Sequence, residues 1–332
     1  MGWLSSFVQN TLTKNSIATP SRLNESGILN MNSRNLNYIA RYNPRHLLPL
    51  VDNKLTTKRM AEKAGVDVPK LIGVIEYQSD IRKLRGILEP LEQFVIKPAK
   101  GSGGKGILVI TGRDGNRYVK ASGESLSFND ISRDVSNILV GLYSLGGKTD
   151  IAIIESMIVA DPIFNDYSFE GVPDIRVIVF RGFPVMAMMR LATRESDGKA
   201  NLHQGAVGVG LDIATGNSLG SVQHNLPIAF HPDTGHKFSA FKVPHWHKIL
   251  SLSAACYEIT NLGYLGVDLV LDKNLGPLIL ELNARPGLAI QIANGRGIKP
   301  RLTTIESLRK HDLPIEEQVV FSRRHFGVSS GI

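Results

Sequence analysis

The chain has 332 residues, 42% of them hydrophobic and 20% charged, with one cysteine and a net charge of +8. That length allows one large or two to three small domains with real cores. The single Cys256 excludes an internal disulfide and a multi-cysteine zinc site, and it suits a reducing cytoplasm. No apolar run is long enough to span a bilayer and no secretory signal opens the chain, so neither is expected.

Residues 1 to about 35 are polar and weakly periodic, and they read as an extended or partly helical arm. The opening MGWLSS fits a myristoylation pattern that is short enough to arise by chance. Asp52 is placed to cap a helix over KLTTKRMAEKAG that stops at Gly65. VPKLIGVI then reads as a strand, SDIRKLRGILE as a helix, and FVIK and ILVI as strands around a glycine loop. Residues 128–144 read as a helix closed by Gly146-Gly147. IAIIESMI, DIRVIVFRG, PVMAMMRL and the stretch from Gly205 to Gly220 look like consecutive strands. A helix over residues 244–261 holds Cys256 as a core residue, and strands follow at 264–272 and 277–283. The expectation is two α+β lobes, 51–150 and 151–300, with an arm at 1–50, a tail at 301–332 and a ligand cleft between the lobes.

KPAKGSGGKG, residues 97–106, satisfies G-x-G-x-x-G, which alone is a weak signal. A dinucleotide fold needs a helix directly after the glycines. Here Ile107, Leu108, Val109 and Ile110 favour a strand. The loop is therefore a hairpin flap whose backbone N–H groups can close over phosphates. Lys97, Lys100 and Lys105 beside it would neutralise phosphate charge. A protein kinase is excluded, because its ATP lysine follows the loop and no His-Arg-Asp or Asp-Phe-Gly occurs.

The second signal is GVDLVLDKNLGPLILELN. A turn centred between Asn274 and Leu275 puts Asp268 opposite Glu281, with Asn283 on the same face. Three oxygen donors without His or Cys suit magnesium or manganese. Val267, Leu269, Leu280 and Leu282 point to the other face, with Leu280 able to line a base pocket. His245 and His247 flank Trp246 without an H-E-x-x-H, so a metalloprotease is not indicated.

In order along the chain, these features resemble the ATP-grasp superfamily, and most of all its RimK-type glutamate ligases and alpha-L-glutamate ligase-like relatives. The likeness spans about residues 28–295, with DIRVIVF, ANLHQGA and ELNARPGL its most specific segments. It implies an α+β ATP-grasp fold whose two lobes grip ATP, with a short arm in place of a full pre-grasp domain. It implies that Lys54 and Lys97 meet phosphates, that Ser102, Gly103 and Gly104 lie over them with Lys105 alongside, and that Glu155 sits at adenine N6. Met157 and Ile158 would meet the base edge by backbone, and Asp161 the ribose. Asp268, Glu281 and Asn283 would hold magnesium. Asp174 and Arg176 match the DIR strand and Asn201 the ANLHQG segment. Lys199, Ala206 and the ARPG at 284–287 depart from the RimK pattern, which puts the substrate in doubt.

The implied reaction is ATP- and magnesium-dependent ligation through an acyl phosphate. It would join a glutamate-like amino acid to an amino acid, peptide or protein amine. Arg176, Arg190, Arg194 and Arg285 are candidates to hold carboxylates or the oxyanion. The alternatives are a non-catalytic ATP-binding protein and a carboxylate–thiol ligase. Lys and Arg form no block, and aromatics at 7% fall mostly in apolar strands, which argues against nucleic acid. No membrane partner is expected, and the short front region is consistent with a homodimer.

Overall fold

The computed structural model describes residues 20–101 and 103–328. The opening MGWLSS and Ser102 lie outside the described residues.

The first lobe is built on β1 (Leu71–Ile75), β2 (Phe94–Pro98), β3 (Leu108–Asp114), β4 (Arg117–Lys120), β5 (Ser125–Leu126) and β6 (Ala152–Glu155). Their order is β1-β6-β2-β3-β4-β5, in antiparallel pairs. Ahead of them runs α1 (Lys54–Lys63), and α2 (Ile81–Leu88) and α3 (Phe128–Leu139) cover the sheet. A capping box starts α3: the Ser127 hydroxyl accepts from the Asp130 amide, and the Asp130 carboxylate accepts from the Ser127 amide. Ile131, Val135 and Ile138 then recur at helical spacing and pack with Leu84 and Leu88 against Phe94, Ile96, Ile110 and Ile154. The helix ends at Leu139 rather than near 144, because Gly141 takes φ +84 where any Cβ would strike the Lys148 carbonyl.

The second lobe holds β7 (Asp174–Phe180), β8 (Phe183–Leu191), β9 (Val207–Leu211), β10 (Ser218–Gln223), β11 (Leu226–Ile228), β12 (Tyr264–Asp272) and β13 (Gly276–Asn283), in the order β11-β10-β9-β8-β7-β12-β13. β8 and β12 are apolar almost throughout, and only Arg190 in β8 is not buried. Such strands are covered on both faces. α4 (Trp246–Thr260), α5 (Ala289–Ala293), α6 (Lys299–Glu306) and α7 (Ile315–Phe326) contribute to that cover.

Two boundaries differ from expectation. β6 belongs to the first sheet, so the chain crosses between sheets after Glu155 rather than near residue 150. The helix cap before α1 is Asn53, whose side chain accepts from the Leu55 and Thr56 amides; Asp52 ends the preceding turn, Pro49–Asp52. Of the front segment, residues 1–19 lie outside the described residues, and residues 20–35 are partly helical and docked. Met31–Tyr42 is helical, with a wide π-type stretch at Arg34–Ile39, and Gln291 clasps Leu29 through both backbone groups at 2.8 and 3.0 Å. The tail is likewise packed, since α6 and α7 bury Leu302, Ile305, Val319 and Phe326 in the core. No described helix is long and apolar enough to cross a membrane.

Candidate functional site

The cleft starts from α1. The Lys54 ammonium donates to the Gly101 carbonyl at 2.6 Å and lies 3.3 Å from the Glu281 carboxylate, so it touches the flap and the second lobe together. One turn later Lys58 is buried, donates to the Pro69 carbonyl and sits 2.8 Å from Glu155 Oε2. Lys97 pairs with the other oxygen of the same carboxylate. Burial lowers the Lys58 ammonium below its usual range, against the pull of Glu155. Glu155 Oε2 lacks a hydrogen bond of good geometry even so. Two lysines on one buried carboxylate leave a local excess of positive charge.

Val51, Lys54, Thr57, Lys58, Val68, Lys97 and residues 279–282 line the cleft. It encloses only about 10 Å³, room for about one water. Leu280 reaches this lining through an irregularity. Asp268 stands opposite Glu281, as the hairpin symmetry predicts, but Leu269 pairs with Ile279, so Leu280 is bulged out of register. The turn therefore centres on Asn274, half a residue from the expected position.

The flap rises between β2 and β3. Gly103, Gly104 and Gly106 have φ of +65°, +74° and +72°, which other residues rarely adopt. Gly103, Gly104 and Lys105 are exposed at its tip. A Cβ on Gly106 would sit 2.4 Å from the Tyr143 ring.

Asp268 is not a free metal ligand here. Its two oxygens accept from Arg176 at 2.7 and 2.5 Å and from Arg190 at 2.7 Å. Arg190 also binds both oxygens of Asp174. Register explains the cluster: Arg176 lies opposite Asp268 on one side, and Asp174 lies opposite Arg190 on the other. Burial pushes Asp174 up to about 6 against the pull of Arg190. Burial also opposes the Asp268 charge, but Arg176 and Arg190 outweigh it and hold that carboxyl down at about 2.

A magnesium or manganese ion fits this donor set only in company with phosphate. Among the described residues no three His, Cys, Asp or Glu side chains form an all-protein cage. Magnesium is commonly held by one or two carboxylates plus substrate phosphates. Asp268 Oδ1 accepts only from Arg176 and keeps a second acceptor site, whereas Oδ2 already accepts from both Arg176 and Arg190; Glu281 is engaged only loosely by Lys54. Asn283 Oδ1 accepts the Arg285 amide at 2.8 Å.

The remaining candidates are spread around this centre. Met157 and Ile158 lie half-buried on the crossing between sheets. Asp161 caps its own turn, accepting from the Ile163 amide at 2.9 Å, with its backbone tied to Leu271 at the hairpin tip. Asn201 caps a short turn through the His203 amide at 3.0 Å. Arg285 is exposed, and Arg194 lies over the Phe169 ring at 5.0 Å. Arg176 and Arg190, expected to hold a carboxylate or the oxyanion, bind protein carboxylates here, Arg176 on Asp268 and Arg190 on both Asp174 and Asp268. Lys58 was missed from the sequence, although its place four residues after Lys54 puts both on one helix face.

A family model described as sugar-transfer associated ATP-grasp matches residues 33–307. No curated relative matches the chain. The ATP-grasp ligase PsnB, solved with a minimal precursor, is similar at 13% identity and a TM-score of 0.44, covering 79% of this chain. The chain spans only 62% of the length of PsnB. D-cycloserine synthetase DcsG is similar at 15% identity and a TM-score of 0.43, covering 82% of this chain and 79% of its own. D-alanyl-alanine synthetase A from Vibrio cholerae is similar at 14% identity and 0.40, covering 85% and 66%.

Proposed function

We propose that this chain, which belongs to the sugar-transfer associated ATP-grasp family, is an ATP-dependent ligase joining a carboxylate to an amine. The observation that carries the reading is the meeting of Lys54 with both Gly101 of the flap and Glu281 of the hairpin. One cation there touches the phosphate cover and a metal-ligand carboxylate at once.

The reaction has two steps. A substrate carboxylate oxygen attacks the γ-phosphorus, the bond to the β-phosphate oxygen breaks, and ADP leaves. The amine nitrogen then attacks the acyl carbon, the C–O bond to phosphate breaks, and phosphate leaves with the attacking oxygen. No protein nucleophile is needed, so the protein contributes position and charge. Lys54 and Lys97 meet the phosphates, with Lys97 leaving Glu155 to do so, and Lys58 stays in contact with Glu155. Glu155 Oε2 is then a fitting acceptor for the adenine amino group. A purine does not fit in about 10 Å³, so binding separates α1 from β13.

Asp268, Glu281 and Asn283 would hold magnesium or manganese, which would supply neutralisation of phosphate charge. Arg176 and Arg190 are fixed by Asp174 and Asp268, and their unused N–H groups suit a carboxylate or oxyanion. Gly103 and Gly104 cover the phosphates. Met157, Ile158 and Leu280 border the base and Asp161 the ribose, while Asn201 and Arg285 border the acceptor. A glutamate-like carboxylate is the reading of the RimK resemblance. Because the family is described as sugar-transfer associated, amino-sugar amines join amino acids and peptides among the acceptors to be tried.

The test is ADP and phosphate release from ATP and magnesium against pools of these carboxylates and amines, with Glu281→Ala as blank. Release that needs both substrates and is absent from the blank supports the ligase. ATP binding without turnover above the blank in any pool contradicts it and leaves a non-catalytic ATP-binding protein.

A further inference from the structure

We infer that Asp150 is the pivot of the glycine flap, a positioning residue that holds the flap's first hinge while the tip moves over phosphate. The inference rests on the ATP reading of the flap. Asp150 is only 3% exposed, yet no lysine, arginine or histidine pairs with it among the described residues. An unpaired buried carboxylate is costly unless hydrogen bonds replace its water. Here four contacts do so. Oδ1 accepts from the Lys100 amide at 3.0 Å and the Ile151 amide at 2.8 Å. Oδ2 accepts from the same Lys100 amide at 3.1 Å and from the Ser144 hydroxyl at 2.5 Å.

These donors define a place in the fold. Lys100 is the last residue before the glycines. Ser144 forms an isolated antiparallel bridge with Gly101, and its neighbour Tyr143 packs under Gly106 at the other end of the flap. The segment 143–150 is thus a cradle beneath both ends of the flap, and Asp150 fastens cradle to hinge. A charged acceptor makes stronger bonds than a neutral one, which accounts for a carboxylate in this position.

The flap has a second tie of a different kind, the Lys54 ammonium on the Gly101 carbonyl. Phosphate competes for that ammonium, so this tie is released when ATP binds. The Lys100 amide already has a charged acceptor, both oxygens of Asp150, and so gains little by turning to phosphate. The flap then swings on a fixed point rather than detaching from lobe one.

The experiment compares the full chain with Asp150→Ala, Asp150→Asn and Ser144→Ala. Hydrogen exchange of flap amides is read without nucleotide, and magnesium-ATP affinity by calorimetry. Asp150→Ala is expected to speed exchange at 100–106 and 143–150 while the rest of lobe one is unchanged, and to weaken ATP roughly tenfold or more. Asp150→Asn, which keeps one acceptor oxygen, restores part of both, and Ser144→Ala shifts both the same way by less. Unchanged flap exchange and ATP affinity in a folded Asp150→Ala overturn the inference, as does faster exchange across all of lobe one. If Asp150→Ala does not fold, parental behaviour in both Asp150→Asn and Ser144→Ala overturns it. Failure of the parent to bind ATP sinks the functional reading instead, because the exchange comparison uses no nucleotide.

Discussion

Arg190 holds two buried carboxylates at once, Asp174 and Asp268. Removing one partner of a buried ion pair leaves the others uncompensated. Arg190→Ala is therefore expected to lose about 3–5 kcal/mol of stability in urea denaturation. Arg190→Lys recovers only part, since an ammonium cannot bind both oxygens of Asp174 as the planar fork does. A loss below 1 kcal/mol on Arg190→Ala, roughly that of an exposed pair, would contradict the buried network.

His231 gives a pH dependence with a definite sign. Burial lowers its imidazole below the usual 6.5, although the Ala192 carbonyl 3.1 Å from Nε2 works the other way. Its Nδ1 accepts the Asp233 and Thr234 amides at 3.2 and 3.3 Å, so the ring is neutral with its proton on Nε2. A depressed histidine takes up its proton more readily unfolded. Its contribution is complete above about pH 6.5 and is lost as pH falls through the folded value. The thermal midpoint is expected to drop more from about pH 7.5 to about pH 5.5 in the parent than in His231→Gln. Equal drops would show that His231 does not carry the effect. At this scale the sequence was legible where alternation dictates placement, as with Glu281 opposite Asp268. It was silent on Lys58 and Asp150, whose roles depend on partners dozens of residues away.

Among elements, the β12–β13 hairpin was the most readable, because alternation and a turn fix the register of a half-polar hairpin. Asp268 does face Glu281, but through a turn half a residue away and a compensating bulge at Leu280. A bulge has no periodic signature, so it could not be read in advance. Cap chemistry misled in the same way, with Asp52 and Asn53 both suitable and only backbone geometry deciding for Asn53. Gly210 of β9 tests element packing. A Cβ there would lie 2.3 Å from the Ala293 carbonyl of α5. Gly210→Ala is expected to cost about 1–3 kcal/mol by denaturation, the usual penalty for forcing atoms into a packed contact. No change in stability would mean that α5 can move away freely.

For the whole molecule, the two-sheet plan followed from alternating apolar strands and the order of motifs, and the family match agrees with the ATP-grasp reading. The crossing point did not follow, because β6 is short, apolar and adjacent in sequence to the second lobe, yet pairs between β1 and β2. Sequence neighbours do not reveal which sheet an apolar strand joins. That detail matters, since it puts Glu155 in the first lobe beside Lys97, with the crossing segment directly after it. Lys54 touches both the flap and the second lobe. Lys54→Met is expected to weaken magnesium-ATP binding at least tenfold, as loss of a charge-assisted contact predicts, while the thermal midpoint stays near the parent. Unchanged affinity would remove Lys54 from the site.

The central claim is that a substrate carboxylate attacks the γ-phosphorus. It is tested most directly with that carboxylate labelled with oxygen-18, ATP, magnesium and the amine found in the release screen, by mass analysis of the phosphate formed. With the parent enzyme each phosphate is expected to carry one labelled oxygen from the carboxylate. Unlabelled phosphate at full turnover would mean that water or another group attacked instead, and the ligase reading would be wrong.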